Sequence, residues 1–405
     1  MVTSPALVAT VGVDGNRPGT PFADLADPPT GPAFTRARPH ATAMLFMKAG
    51  RPHEPVAVPQ VLLGAGELLV EVEFATVCSS DIHTAQGHRV EPAPAVLGHE
   101  AVGRVSAIGG VVPALDGIPL VPGDRVVWSV VAQCGTCDRC LRGIPQTCRT
   151  LRKYGHERIG QGWELTGGFA THVHLRAGTT VIRVDEEIPA AVLAPAGCGI
   201  STAWAALAAA ERTVSLRGAT VLVTGGGLIG LSAAAMARER GATVILAEID
   251  EERRTLARRF GAAEAFDPLA GTTARSVLAS STAQTREIDV VIEASGSPLA
   301  VAAGIEAVGP GGVVVLVGSV FPTDPVPLVP ERLVRSQVTV TGVHNYAPEH
   351  LSGALDFLAS NWRTYPFEQL VGRVYPLIEL DAALDRAALR REVRVGITPA
   401  ALRQR

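Results

Sequence analysis

The sequence predicts an α/β protein in two parts, a β-rich, barrel-like segment followed by a doubly wound parallel sheet. Three observations carry this. Across residues 42–184 short strands are punctuated by Gly and Pro: Val70-Glu71-Val72-Glu73-Phe74 alternates as a half-buried strand does, and Pro122-Gly123-Asp124 is a turn feeding a strand over 125–131. After Leu216 the rhythm changes, and apolar strands at 219–224, 243–247, 289–293, 313–318 and 338–341 alternate with helical runs at 228–240, 251–260 and 299–308. A chain of 405 residues also exceeds what one hydrophobic core supports.

The flanks read differently. Residues 1–40 hold seven prolines (Pro5, Pro18, Pro21, Pro28, Pro29, Pro32, Pro39) and little periodicity, which predicts a poorly ordered extension. From about Asn345 the pattern returns to mixed elements, including a helix over 348–359. No internal repeat or coiled-coil heptad is visible.

Composition removes several function classes. A net charge of −3, with acids and bases interspersed, gives no attraction for polyanions, so no nucleic-acid partner is expected. The first ten residues lack a charged segment leading into an apolar run, and no secretory signal is read there. The uncharged stretch 188–210 has the length of a membrane span. Its Pro189, Pro195, Gly197, Cys198 and Gly199 make it buried chain of a soluble protein instead, so no membrane partner is expected. Four of the six cysteines stand at metal-ligand spacing, a usage that suits a reducing compartment and hence a cytoplasmic location.

Gly225-x-Gly227-x-x-Gly230 follows a strand and opens a helix, with Leu228 and Ile229 between its last two glycines. The first glycine permits a tight turn, the second lets backbone approach a pyrophosphate, and the third lets helix pack on strand. Alone, such a turn also occurs without a ligand. Glu248 ends the next strand, eighteen residues after Gly230, where an acid accepts hydrogen bonds from adenosine ribose hydroxyls and repels a 2′-phosphate. NAD is therefore expected over NADP. Arg253, Arg254, Arg258 and Arg259 argue the other way, unless they are the solvated face of a helix.

Cys134-x2-Cys137-x2-Cys140-x7-Cys148 is the strongest single signal. Four thiolates close a tetrahedral shell around Zn²⁺ and leave no place for substrate, so this site is structural. An iron–sulfur cluster is the competing reading. A second set consists of Cys78, His99 and Cys198, three ligands that leave one coordination place open. Singly, each reads as a buried thiol or a satisfied imidazole. Together they give every cysteine in the chain a role.

In these motifs the chain resembles the zinc-containing alcohol dehydrogenases of the medium-chain dehydrogenase/reductase superfamily. The similarity spans about residues 42–399 and rests on Cys78-x-Ser80-Asp81-x-His83, Gly98-His99-Glu100, the four-cysteine lobe, Gly197-Cys198-Gly199-x-Ser201-Thr202 and the glycine fingerprint. The resemblance implies a GroES-like β-barrel catalytic domain, residues 41–190 and 345–405 with the zinc lobe at 134–148. It places a Rossmann NAD-binding domain over 191–344, and the active site in the cleft between the two. Cys78, His99 and Cys198 match the catalytic zinc ligands, and Glu100 the acid behind the metal that can bind it transiently. Asp81 matches the carboxylate that orients the ligand histidine. Ser80 matches the hydroxyl that takes the alcohol proton, and His83 the histidine that ends the relay near solvent. Thr202 resembles a residue beside the nicotinamide, Arg394 one that reaches the pyrophosphate, and Val317 one that contacts the cofactor.

Departures from the family pattern are visible. Ser79 stands where some relatives carry a pyrophosphate-binding arginine, and no acid lies between Glu187 and Glu211 to replace Cys198 as ligand. The short link from Cys148 to Gly167 is that of the tetrameric microbial enzymes, so a homodimer or homotetramer is expected. The segments 151–156 and 342–346 look like a bacterial subgroup associated with phosphonate catabolism. Lys153, His156 and His344 are then candidates to meet an anionic alcohol such as a hydroxyalkyl phosphonate, or are surface and interface residues. A polyol or cyclitol is the alternative substrate. An NAD-binding relative with only a structural role is the non-enzymatic alternative, although no ligand or relay residue is missing.

Overall fold

The computed structural model describes residues 34–281 and 287–399. Its parallel sheet has six strands, in the spatial order Glu264–Phe266, Thr243–Ala247, Thr220–Thr224, Ile288–Glu293, Val308–Leu316, Thr339–Gly342. In order of sequence that is 3-2-1-4-5-6, the doubly wound arrangement, and every neighbouring pair is parallel. Thr220–Thr224 is buried at every position because helices cover both faces, which is why it reads as a continuous apolar run. Helices Leu228–Glu239, Glu251–Arg259, Pro298–Ala307 and Pro348–Asn361 lie within two residues of their expected bounds. The strand Glu264–Phe266 and the helix Ala274–Ser281 are additions, and three residues are too few to display a period. The strand expected at 313–318 begins at Val308 and ends at Leu316, with a register shift opposite Ile288 and Val290.

The β-rich half is built around eight antiparallel and mixed strands. Thr179–Arg183, Arg125–Ala132, Glu100–Ile108 and Leu68–Thr76 lie side by side, and Arg394–Thr398 and Val371–Pro376 continue the row from late in the chain. Ala41–Phe46 lies between Glu54–Val58 and Ala95–Val96 in a smaller sheet. Residues 1–33 of the expected N-terminal extension lie outside the described residues. Its last part is ordered, because Thr35–Ala37 pairs antiparallel with Val61–Leu63.

Two cores position the site. One fills the β-rich half with Met44, Leu68, Trp128, Phe169, Leu377 and Leu380. The other runs from Val102 and Val127 in that half, through helix Gly199–Glu211, to Val221 and Val290 of the parallel sheet. Ten of that helix's thirteen residues are buried, which accounts for the absence of charge in 188–210. The stretch is two helical pieces, Ala190–Gly197 and Gly199–Glu211, bent by 55°, and among the described residues no single helix is long and apolar enough to cross a membrane.

Arg125 ties the strand leading toward the metal sites to the connection that follows Thr179–Arg183. Its guanidinium forms two bonds of 2.9 Å to Glu73 and donates to the carbonyls of Asp185 (2.7 Å) and Ile188 (2.8 Å). Removing the buried donor leaves these acceptors without it. Arg125→Met is expected to lower unfolding stability by about 3 kcal/mol in chemical denaturation.

Candidate active site

Thr76 lies opposite Glu100 where Leu68–Thr76 pairs with Glu100–Ile108. The residues just outside that pairing, Cys78 and His99, therefore meet at one sheet end. Cys78 caps helix Ser79–Ala85, and its N–H donates to Asp81 Oδ2 at 2.9 Å. Asp81 Oδ1 accepts from Gly98 N at 3.2 Å and stands 3.5 Å from His99 Nδ1. One buried carboxylate thus orients both residues, leaving His99 Nε2 for a metal. Gly98 has φ +88°, and a side chain there would run into Phe169, so the turn before His99 requires glycine. Cys198 caps helix Gly199–Glu211.

One ligand atom each of Cys78, His99, Glu100 and Cys198 falls within 4.8 Å of all the others. The cluster's groups shift one another strongly. A hydrogen bond from Cys198 holds the Cys78 thiol well below its ordinary range, while Cys198 is pushed well above by Cys78 and by burial. Burial opposes charging of His99, yet Asp81 and the Cys78 sulfur outweigh it and raise the imidazole to about 10. Two thiols, an imidazole and a carboxylate converging within 4.8 Å fit a divalent cation.

Glu100 faces the back of this shell. Arg394 grips it at 2.8 and 2.9 Å, and Thr76 Oγ1 donates at 2.6 Å. Arg394, the expected pyrophosphate contact, also donates to Val393 O at 3.0 Å and lies 3.8 Å from Cys78 Sγ.

The lobe at 134–148 gathers four sulfurs with separations of 3.4, 3.6, 3.9 and 4.0 Å among them. Four sulfurs about 2.3 Å from a tetrahedral zinc stand about 3.8 Å apart, so the set fits one four-coordinate ion. Backbone N–H groups of Cys134 and Cys137 each donate to a sulfur at 3.3 Å. The Thr136 amide draws Cys134 down to about 5, whereas desolvation and the adjacent sulfurs push Cys140 up to about 12. Such crowded thiols ionise together only around a cation.

The glycine fingerprint has the expected form. Gly225 takes φ +96°, and a Cβ on Gly230 would lie 1.9 Å from the Gly225 carbonyl. Gly227 caps helix Leu228–Glu239 with open space beside it. Leu228 and Val317 are both buried, Leu228 packing against Gly199, while Ile229 is half-buried. Thr202 Oγ1 donates to Cys198 O at 2.8 Å. Glu248 Oε2 accepts from Gly226 N at 2.5 Å and Oε1 from Asp250 N at 2.9 Å, which fixes the carboxylate beside the turn. Each of the four arginines has a protein acceptor. Arg253 binds Arg390 O, Arg254 the carbonyls of Glu248 and Ile249, Arg258 that of Ala265, and Arg259 the Gln369 side chain.

Ser80 Oγ sits 3.4 Å from His99 Nε2. Ser80 and His83 are three apart on helix Ser79–Ala85 and share a face. The half-buried His83 ring rests 4.3 Å from Phe321 rather than opening freely to solvent. His156 Nδ1 bonds Glu91 at 2.9 Å, and its ring lies 4.8 Å from that of His99. Glu91 also pairs with Arg89 at 2.5 Å. Burial is the main influence lowering Lys153, followed by Arg89, with Cys198, Glu91 and Cys78 pulling the other way. Burial, then Lys153 and Arg89, push His344 down to about 4.

Sequence reasoning missed Arg89, Glu91, Phe321 and Glu293. Glu293 is fully buried and accepts from Ser295 N, Ser295 Oγ and Gly296 N at 2.7–2.8 Å, organising the turn beside Gly225. An acid ending an apolar strand was its only signal.

Residues 64–186 match the alcohol dehydrogenase GroES-like domain, and residues 229–360 the zinc-binding dehydrogenase domain. Geraniol dehydrogenase of Castellaniella defragrans is 32% identical over 356 residues, covering 82% of this chain and 91% of that one. An alcohol dehydrogenase from Thermotoga maritima superposes with a TM-score of 0.83 at 31% identity, covering 88% of this chain and 99% of that one. A protein from Sinorhizobium meliloti 1021 solved with bound NADP gives a TM-score of 0.76 at 27% identity, with coverages of 89% and 99%. The chain belongs to the zinc-dependent alcohol dehydrogenases of the medium-chain dehydrogenase/reductase superfamily. It is an oxidoreductase that uses zinc and a nicotinamide cofactor.

Four outcomes are expected from these sites. Elemental analysis should find two zinc ions per chain. Cys137→Ser should lower the thermal midpoint by roughly 5 °C or more, because a closed shell contributes folding energy, whereas Cys198→Ser should mainly abolish turnover. Glu248→Ala should reduce the preference for NAD over NADP, measured as a ratio of kcat/KM, by about tenfold or more, since it removes both the ribose acceptor and the charge opposing a 2′-phosphate.

Proposed function

We propose that the protein oxidises an alcohol, or reduces its carbonyl partner, with a preference for NAD(H), and that the substrate carries an anionic group such as a phosphonate. The observation that carries the reaction is the Cys78–His99–Cys198 shell, its histidine buried and its cysteines half-buried, with the Ser80 hydroxyl beside it. Zinc in that shell supplies Lewis acidity to the substrate oxygen, and the nicotinamide supplies the hydride-exchanging carbon. Cys78, His99 and Cys198 hold the metal, with Asp81 fixing the imidazole through Nδ1. Ser80 takes the alcohol proton, and His83 on the same helix face is the outer acceptor. Burial, with Arg390 and His88 nearby, lowers the His83 pKa, so the imidazole stays neutral and able to accept a proton throughout the neutral range.

Support for NAD comes from Glu248, held at the fingerprint, and from the protein acceptors that engage all four nearby arginines. Glu100 would lie behind the metal held by the three ligands, and Arg394, which grips Glu100, is assigned to the pyrophosphate side. Gly225, Gly227, Leu228, Ile229, Gly230, Thr202 and Val317 are assigned to the cofactor, Leu228 and Val317 through their backbone. An anionic substrate is supported by Lys153, which lies close enough to Cys198 and Cys78 to interact with both thiols. We assign residues 41–190 and 345–405 to the catalytic domain and 191–344 to the cofactor domain. A homodimer or homotetramer is supported by the strand Thr339–Gly342, which ends the parallel sheet with Val340 exposed and with Val329 and Val334 exposed on the chain leading to it. Thiols committed to metal sites support a cytoplasmic location.

Turnover of hydroxyalkyl phosphonates, polyols, geraniol and simple alcohols with NAD and NADP tests this reading. The phosphonates should give the highest kcat/KM. Lys153→Met should raise their KM about 10- to 100-fold while leaving neutral alcohols unaffected. A neutral alcohol as best substrate would overturn the anionic assignment and leave the reaction class standing. His83→Gln should slow oxidation at neutral pH and recover as pH rises. In the wild type, oxidation should fall at a pH below the ordinary histidine value, because burial lowers His83. Equal rates for both proteins across pH would overturn the relay.

A further inference from the structure

We infer that the Tyr346 hydroxyl is a positioning group for Cys198, the third ligand of the catalytic zinc, and this rests on the ligand set assigned above. Cys78 and His99 lie just outside the pairing of two strands, and the Asp81 carboxylate holds the chain at both by accepting from Cys78 N and Gly98 N. Cys198 has no such support, because it joins the single turn Ala194–Gly197 to helix Gly199–Glu211. The direction of its Sγ depends on how the Gly197–Cys198 peptide plane is held.

Both edges of that plane are pinned. Cys198 N donates to Pro195 O at 3.2 Å. The Gly197 carbonyl accepts from Tyr346 Oη. The same hydroxyl accepts from Val130 N at 3.2 Å, so it ties the ligand turn to the strand Arg125–Ala132. A Cβ on Gly197 would lie 2.9 Å from Trp128 O, so the turn packs closely on that same strand. Tyr346 is 3% exposed and arrives from the end of the parallel sheet, where Asn345, at φ +54°, turns the chain inward after Thr339–Gly342. A residue 149 positions from Gly197 therefore sets the third ligand, and it is contributed by the segment that leaves the cofactor-binding sheet.

Phenylalanine keeps the ring and its packing but leaves the Gly197 carbonyl and the Val130 amide without their shared partner. Outer partners of metal ligands act on metal affinity by 10- to 100-fold in general, so a loss of about that size is expected at the catalytic site alone. The test challenges zinc-loaded wild type and Tyr346→Phe with graded chelator, counts zinc per chain by elemental analysis, and records the thermal midpoint of each. The inference expects Tyr346→Phe to fall to one zinc at about 10- to 100-fold less chelator than wild type, with the four-cysteine zinc retained equally by both. Equal retention of both zincs overturns it, and a lowered thermal midpoint with both zincs retained does the same, marking ordinary packing. If wild type itself holds only the four-cysteine zinc, the ligand assignment fails instead. Cobalt substituted into the catalytic site gives a second readout. An altered cobalt spectrum in Tyr346→Phe supports the inference, and an unchanged one overturns it.

Discussion

A carboxylate and a guanidinium, both shut away from water, join the late part of the chain to its catalytic half. Glu100 and Arg394 meet through two short bonds, and Thr76 satisfies a further acceptor site on the carboxylate. Removing each ion from water costs several kcal/mol, so the pair persists only because its geometry is two-pronged and its remaining valences are met. Its position matters more than its net energy. The fixed positive charge 3.8 Å from Cys78 Sγ helps to keep that sulfur ionised, and so sets the charge that the metal must balance. The strand Arg394–Thr398 then lies on Leu68–Thr76, whose end leads to Cys78.

The parts of the molecule legible in the sequence are those governed by local periodicity or by spacing. Thr220–Thr224 and Leu228–Glu239 announce themselves through an apolar run and the glycines that close it. The two sulfur sets follow from residue type, because few chemistries use six cysteines in this pattern. What stayed hidden depends on contacts between distant residues. Nothing near Arg394 shows that Glu100 receives it, and nothing near His83 shows that Phe321 covers it. Leu228 sits in the fingerprint yet points its side chain into the core, a direction set by helix packing against Gly199. The helix after Cys78 was partly legible. Asp81, at the third helical position, accepts the Cys78 amide proton, a capping arrangement visible in Cys78-Ser79-Ser80-Asp81.

On the cofactor side, the Glu248 carboxylate is already held by two backbone amides. A side chain fixed in advance loses little freedom when a ligand arrives, so more of the interaction appears as affinity. The neighbouring arginines reach the same economy differently. Arg254 and Arg258 fold back on carbonyls of their own segment, while Arg253 reaches across to Arg390 and Arg259 to Gln369. Side chains that look on paper like a phosphate-binding patch thus brace the helix Glu251–Arg259.

The separation of 294 residues between Arg394 and Glu100 also bears on how the molecule is made. Synthesis delivers Cys78, His99 and Cys198 long before the strand that carries Arg394, so the three ligands precede the fixed charge that lies beside Cys78. Contacts of such long range are slow to close, because the loop entropy is lost before the ion pair returns anything. The four-cysteine lobe closes over only fourteen residues, from Cys134 to Cys148. The four-cysteine site needs only residues 134–148, whereas the catalytic set and its Arg394–Glu100 brace draw on residues from 78 to 394.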